Sequence, residues 1–431
     1  MKKIPGLRWY IVVMLCLASE LNYLDRQTLS VLAQTIQDEM HITTVQYADI
    51  TFAFLLSYTV MYAVSGRLVD WLGTRRSFLI FVSGWSIASA LHALARTAGQ
   101  FTFFRVLLGA TEPANFPGGV RTVTEWFPMR ERALAVGIFN SGTAIGAAVA
   151  APLVAWITLM WGWRYAFVLG GVLGFVWVIV WAVVYRRPRQ HPWLGAEELA
   201  LIEAGDPVAV GEPPPPVPIR RLLGMKAVWG CIAARVLTDP ISYLFIFWTP
   251  KFLQQERGFD LADIGRYSWI PFVGLAVGNI AGGLVPSWLM RRGFSLNRAR
   301  KTVMFAASCT MPVCFLLVTR VPSAAMAVAL ITVAMFAHAA WANVTLPAEV
   351  FPSHVVGAVT GFGGMFGSLA SAFSQKAIGW TAQNLSFAPI FAVGSVMHLT
   401  GFVLVCLLVG ELGQVRDVSG PDSRPAAPAV T

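Results

Sequence analysis

The chain has 431 residues, of which 56% are apolar and only 13% charged, with a formal net charge of +10. A soluble surface needs about a quarter of residues charged, so this composition excludes a soluble globular protein, and it equally excludes disorder, collagen-like repeats and a disulfide scaffold. The remaining class is a polytopic membrane protein. A spanning helix takes about 20 mostly apolar residues. Runs of that kind predict spans over 9–31, 46–68, 77–96, 100–124, 132–157, 163–185, 227–252, 264–289, 301–319, 323–347, 356–380 and 386–410. Backbone groups in lipid must be satisfied within the segment, so these are read as twelve helices. The short period-2 segments of a barrel are not seen.

The basic residues set topology rather than nucleic-acid binding. With the N-terminus placed inside, 21 Lys and Arg fall on the inner side and six on the outer. That bias places both termini in the cytoplasm of a bacterial inner (plasma) membrane. No cleavable signal peptide is expected. The five cysteines form no CxxC pair and are read as packing residues.

Residues 187–226 are the longest polar break, with Arg187-Pro188-Arg189, an acidic patch and the run Pro213 to Pro216. They are read as a semi-rigid cytoplasmic linker between a six-helix bundle over 1–186 and a second over 227–412. Residues 413–431, rich in Pro and Ala, are read as a disordered tail. The halves repeat each other. Gly66-Arg67-Leu68-Val69-Asp70 leading to Arg75-Arg76 matches Gly282-Gly283-Leu284-Val285-Pro286 leading to Arg291-Arg292 at an offset of 216. Glu125-Trp126-Phe127-Pro128 matches Glu349-Val350-Phe351-Pro352, and Gly137 matches Gly361, at an offset of 224. Two such matches in order point to duplication, and six-plus-six repeats are a transporter architecture with its site between the halves.

The stretch Gly66-Arg67-Leu68-Val69-Asp70-Trp71-Leu72-Gly73-Thr74-Arg75-Arg76 resembles the signature loop of the major facilitator superfamily, departing at Trp71, where a basic residue is usual. Asn22-Tyr23-Leu24-Asp25-Arg26, Glu125-Trp126-Phe127-Pro128, Gly137-Ile138-Phe139-Asn140-Ser141-Gly142, Leu237-Thr238-Asp239-Pro240 and Val359-Thr360-Gly361-Phe362-Gly363-Gly364 resemble its anion:cation symporter branch, which includes hexuronate and aldonate transporters. The resemblance spans nearly the whole chain. It implies an all-α membrane protein with twelve helices in two pseudo-symmetric six-helix halves. The fourth span departs at Glu112-Pro113, where a small residue usually follows the glutamate, and the proline is expected to kink that helix.

Charges at membrane depth cost about 2.5–3.5 kcal/mol on insertion scales, so they are read as functional. Four stand out: Asp25 and Arg26 in the first span, Arg105 and Glu112 in the fourth. Arg105 and Glu112 are two helical turns apart, about 10 Å along one face, too far for a comfortable direct bridge. Asp25 and Arg26 point about 100° apart, so they do not neutralise each other well. Arginine forks suit a carboxylate, and a nearby buried carboxylate can carry a proton. Asp25 and Glu112 are therefore the proton candidates. Tyr23, Arg26, Tyr58, Arg105, Asn140, Thr143, Trp248, Asn343 and Ser368 are the substrate candidates, Tyr58 through the resemblance. A competing reading makes the four charges structural bridges, Asp25 with Arg105 for example. Arg235 and Asp239, spaced i,i+4, are expected to pair with each other. His338 and His398 have no evident partner and are read as packing residues. Asp70, Arg75, Arg76, Arg121 and Glu125 are read as a cytoplasmic gate network, as the resemblance implies.

No HExxH, P-loop or nucleophile–base pattern appears, so neither an enzyme nor ATP-driven transport is expected, and no cofactor or metal. The expected activity is proton-coupled symport of a small organic anion, most closely a hexuronate or aldonate. The expected partners are that anion, protons and membrane lipid, with no nucleic acid and a functional monomer. A proton antiporter of drugs or anions and a non-transporting sensor are the alternatives. The first lacks a GPxxGG-like run in the fifth span, and the second lacks a sizeable signalling extension.

Overall fold

A computed structural model describes residues 3–204, 217–341 and 345–413. Among these residues there are helices and turns and no strand. In chain order the helices are α1 Leu7–Val31, α2 Ala33–Met40, α3 Thr44–Leu72, α4 Thr74–Leu91, α5 Ala98–Thr111, α6 Asn115–Trp126, α7 Met129–Trp161, α8 Trp163–Val184 and α9 Ala196–Ala204. They continue with α10 Ile219–Leu223, α11 Lys226–Arg257, α12 Leu261–Tyr267, α13 Ile270–Arg291, α14 Leu296–Val318, α15 Ala324–Ala340, α16 Leu346–Val350, α17 Ser353–Asn384 and α18 Ala388–Leu404. Ten of the helical stretches are long and apolar enough to cross a membrane, and α15, at 17 residues, is a shorter apolar helix.

Every expected span has a counterpart, and proline explains where it is not one straight helix. The span expected over 100–124 is α5 and α6, joined by a 3-10 turn at Glu112–Ala114. Pro113 offers no N–H and its ring displaces the carbonyl one turn back, so the α-helix restarts rather than bends. The span expected over 264–289 is likewise divided, with Pro271 in the first turn of α13. The span expected over 323–347 ends as α15 at Ala340, and Pro347 opens α16. The helix α2 was not expected. Polar caps start other helices. Thr43 and Gln46 form a reciprocal capping box at α3, and Thr97, Ser295 and Ser323 each accept a first-turn N–H at α5, α14 and α15. Gly73, at φ 75°, turns the chain from α3 into α4, a conformation that disfavours any Cβ.

The chain forms two compact units, Met1–Glu212 with Asp260–Trp269, and Pro213–Phe259 with Ile270–Thr431. In the first, α1 packs on α7, α3 on α5 and α4 on α8. In the second, α11 packs on α17, α13 on α15 and α14 on α18. The same pairing scheme occurs in both units, which is the spatial form of the sequence repeat. The described part of 187–226 is not bare spacer. Glu198 on α9 accepts the backbone N–H groups of Leu7 and Arg8 and pairs with the Arg8 guanidinium at 2.8 Å, while Arg8 also reaches Glu131 at 2.9 Å. The prolines 213–216 and residues 414–431 lie outside the described residues.

Small residues let α1 and α7 approach closely. A Cβ on Gly142 would lie 2.1 Å from the Cys16 carbonyl oxygen, and one on Gly146 2.2 Å from that of Glu20. Backbone cannot yield as a side-chain tip can, and overpacking of this kind costs about 1–3 kcal/mol or more. Gly146→Leu is therefore expected to lower the thermal midpoint in detergent by several degrees or to abolish the monodisperse peak. A wild-type melting curve for G146L would contradict this packing.

Candidate functional site

The first unit collects the predicted charges. Arg26, near the end of α1, donates from Nε to Glu112 Oε2 at 2.6 Å, and both side chains are buried. Glu112 can reach it because it sits in the 3-10 turn that follows α5. Around this ion pair lies an aromatic cage. The Arg26 guanidinium carbon is 4.6 Å from the Tyr58 ring centroid, 4.9 Å from that of Tyr23 and 5.6 Å from that of Phe54. Such rings stabilise a desolvated cation by about 0.5–2 kcal/mol each. Phe54 and Tyr58, four apart on α3, present one face to it.

Arg105 stands beside this pair and is handled differently. Its side chain is 1% exposed, and Nε and both terminal nitrogens have no hydrogen-bond partner among the described residues. Its guanidinium carbon lies 5.7 Å from the Phe54 centroid, so one phenyl ring contacts both arginines. Glu112, Asp25 and Arg26 act on it electrostatically. The second carboxylate oxygen of Glu112 is also buried without a hydrogen-bond partner among the described residues. A buried guanidinium with five idle donors is costly, so the site holds unspent capacity to bind an anion.

Asp25 belongs to a different face of α1. Its Oδ1 accepts from Ser89 Oγ on α4 at 2.6 Å, and a Cβ on Gly170 of α8 would lie 2.4 Å from the same oxygen. It is thus held where α1, α4 and α8 meet, while Arg26 turns towards α3 and the Glu112 turn. Asn140 on α7 is exposed and Thr143 half-buried, its hydroxyl donating to the Asn140 carbonyl at 2.8 Å. In the second unit Trp248 is fully buried, with its indole N–H on Gln375 Oε1 at 2.8 Å and its ring against Phe387. Ser368 is buried on α17. Asn343 lies outside the described residues. Arg235 and Asp239 pair at 2.8 Å, as their spacing predicts.

Of the predicted gate residues, three come together. Arg121 donates to Asp70 at 2.6 Å and to Glu125 at 3.1 Å, and Glu125 also accepts from Thr74 and from the Tyr185 hydroxyl at 2.7 Å. Arg75 instead donates to the Ala182 carbonyl on α8 at 2.6 Å, and Arg76 is exposed. Phe54, Ser89 and Tyr185 were not anticipated. Only Phe54 left a trace in the sequence, one turn before Tyr58; Ser89 and Tyr185 are distant in the chain from what they touch.

The model of the Major Facilitator Superfamily matches residues 15–375. The chain belongs to the Major Facilitator Superfamily. It is therefore a multi-pass membrane transporter by family and not an enzyme. It is 35% identical over 415 residues to a protein named hexuronate transporter from Escherichia coli (strain K12), covering 94% of each chain. It is 33% identical over 299 residues to one named galacturonate transporter from Dickeya chrysanthemi, covering 69% of this chain and 86% of that one. Among solved structures, a D-xylose-proton symporter aligns over 94% of this chain and 98% of its own with a TM-score of 0.73 at 14% identity. That likeness establishes the shared fold, and within it the facilitator halves carry the repeat already described.

Proposed function

We propose that this facilitator is a proton-coupled symporter of a sugar acid, of the hexuronate or aldonate class, working by alternating access in a bacterial inner membrane with both termini cytoplasmic. The observation that carries the reading is the pair of neighbouring buried arginines, one closed onto Glu112 and one with its donors unspent. Two guanidinium forks in a low-dielectric setting suit a carboxylate and poorly suit a cationic drug. The names of the sugar-acid transporters above support the substrate class, and the bias of basic residues supports the topology.

Coupling follows from competition for Arg26. While Glu112 is ionised it occupies the Arg26 fork. A proton on Glu112 removes the charge from that bond and leaves Arg26 to join Arg105 on the substrate carboxylate. Asp25, held by Ser89, is the second carboxylate able to take a proton. Tyr23, Tyr58, Asn140, Thr143, Asn343 and Ser368 are the candidates for the substrate hydroxyls, while Trp248, tied to Gln375, would act by shaping the wall. Asp70, Arg121 and Glu125, with Arg75 and Arg76 nearby in sequence, form the proposed cytoplasmic gate. A monomer contains every group this cycle uses.

Uptake into proteoliposomes under an inward proton gradient tests the reading. The panel is glucuronate, galacturonate, galactonate, gluconate, tartrate, aromatic carboxylates and neutral glucose. Accumulation of a sugar acid that collapses with a protonophore is expected. Efflux of a cationic dye, or accumulation of glucose as readily as of glucuronate, would refute it.

A further inference from the structure

Three helices of the second unit bring together residues far apart in the chain. Ser242 Oγ on α11 lies 2.6 Å from His338 Nε2 on α15, and His338 Nδ1 lies 3.0 Å from His398 Nε2 on α18. The imidazole planes cross at 80°. Ser242 and His338 are half-buried, whereas His398 is fully buried. His398 Nδ1 has no hydrogen-bond partner among the described residues. The chain therefore opens at Ser242 and ends blind inside the bundle.

The hydrogen bonds constrain the protons. A neutral imidazole carries one N–H, and the 3.0 Å contact needs a donor on one ring and a bare nitrogen on the other. With Ser242 donating inwards, His338 passes its Nδ1–H to His398 Nε2, and His398 must bury an idle Nδ1–H. With the polarity reversed, His398 Nδ1 is a buried bare nitrogen. Either neutral arrangement leaves that atom unsatisfied, and so does the protonated pair, so what an added proton changes is the bond between the two rings. One added proton converts the ring-to-ring contact into a charge-assisted bond, roughly twice as strong as a neutral one.

The surrounding charges leave room for that proton. On α11 the nearest are Arg235 and Asp239, which pair with each other. The buried face of α14 contributes Arg300, which pairs with Glu349 at 2.8 Å, the Cys314 thiol, and Ser308, whose hydroxyl donates to the His398 carbonyl. The sequences of α15 and α18 hold no other charged residue, and α13 has only Arg291 at its far end.

We propose that Ser242, His338 and His398 form a second proton-binding site, filled and emptied in the transport cycle; this deepens the proton-coupled reading above and rests on it. A hydronium ion gives a proton to Ser242 Oγ and leaves as water, and the serine's own proton passes to His338 Nε2. The Nδ1 proton of His338 then moves to His398 Nε2, leaving one positive charge shared by the two rings. No other bond forms or breaks, and release follows the same path backwards. Because the chain is blind at His398, it stores a proton and does not conduct one.

Two measurements test it on the full-length protein in lipid nanodiscs or proteoliposomes. With isotope-labelled histidine, NMR is expected to show two of the six histidines titrating together within about pH 5 to 8. Both signals should disappear or decouple in His398→Gln and in His338→Asn, whose amides keep a hydrogen bond at the replaced nitrogen without titrating. At an imposed gradient of one pH unit, removing one coupled proton lowers steady-state accumulation by about tenfold, since each proton contributes one factor of ten. That drop is expected in folded H398Q and in H338N. Two histidines that stay neutral across the range, or wild-type accumulation in both folded variants, would overturn the site. Absence of proton-driven accumulation by the wild-type protein would instead refute the proposed function, and the NMR titration would still decide whether the pair binds a proton.

Discussion

Arg105→Met is expected to abolish uptake of the sugar acid while leaving the protein as stable as the wild type or more so. The two halves of that statement come from one observation. All three Arg105 nitrogens are buried without a hydrogen bond from the described residues. A guanidinium in that state has lost its hydration and gained little beyond the Phe54 face, 5.7 Å away, and the field of nearby carboxylates. Replacing it with an apolar side chain of similar length removes a desolvated charge and orphans no hydrogen-bond partner. If Arg105 were instead a helix-pinning bridge, its loss would strand a carboxylate and cost about 3–5 kcal/mol. Arg105→Lys separates charge from geometry. The ammonium keeps the charge but cannot form the two parallel N–H bonds to a carboxylate, each charge-assisted bond being worth about 1.5–3 kcal/mol. Binding of the sugar acid is therefore expected to weaken by about 10- to 100-fold in R105K and to be undetectable in R105M, by calorimetry on protein in detergent. A melting temperature that falls sharply in R105M, with binding retained in R105K, would make Arg105 a structural residue.

How much of this was legible in the sequence depends on distance along the chain. The spans were readable because hydropathy over about 20 residues is local, and the Arg235–Asp239 pair because i,i+4 spacing is local too. The Glu112-Pro113 step signalled a distortion, but not that the helix would restart as α6 and thereby aim Glu112 at Arg26. The four membrane charges were identifiable by their cost alone; their partition into an Arg26–Glu112 pair, a Ser89-held Asp25 and an unspent Arg105 was not. That partition depends on which face of α1 meets α4 and α8, and rotation about a helix axis is fixed by packing on other segments. The histidines illustrate the same limit. Separated by 60 residues, His338 and His398 carry no mutual signal in the sequence, and reading each as partnerless followed from that. Arg75, itself read from the sequence as a gate residue, turns to the Ala182 carbonyl on α8 for the same reason.

Glu112→Gln is expected to keep substrate exchange and lose accumulation. Glutamine preserves an acceptor for Arg26 Nε at the 2.6 Å contact, so the local packing survives, but it holds the bond permanently in its uncharged form. In the proposed cycle, substrate binding takes up a proton, because Arg26 engages the carboxylate only when Glu112 is neutral. By linkage, apparent affinity is then higher at low pH and falls as pH rises. In E112Q that dependence is expected to flatten, with affinity at alkaline pH at or above the wild-type value. Counterflow, in which labelled substrate exchanges against unlabelled substrate at equal pH, needs no net proton movement and is expected to continue. In that cycle, net uptake against a gradient requires Glu112 to release its proton on the far side, which glutamine cannot do. A proton gradient should therefore drive accumulation in the wild type and only equilibration in E112Q. Wild-type accumulation by E112Q would transfer the coupling role to Asp25, whose Ser89 contact gives it a separate environment. Asp25→Asn would then be the variant that equilibrates without accumulating. The Arg26–Glu112 pair would in that case be a bridge between α1 and the turn after α5.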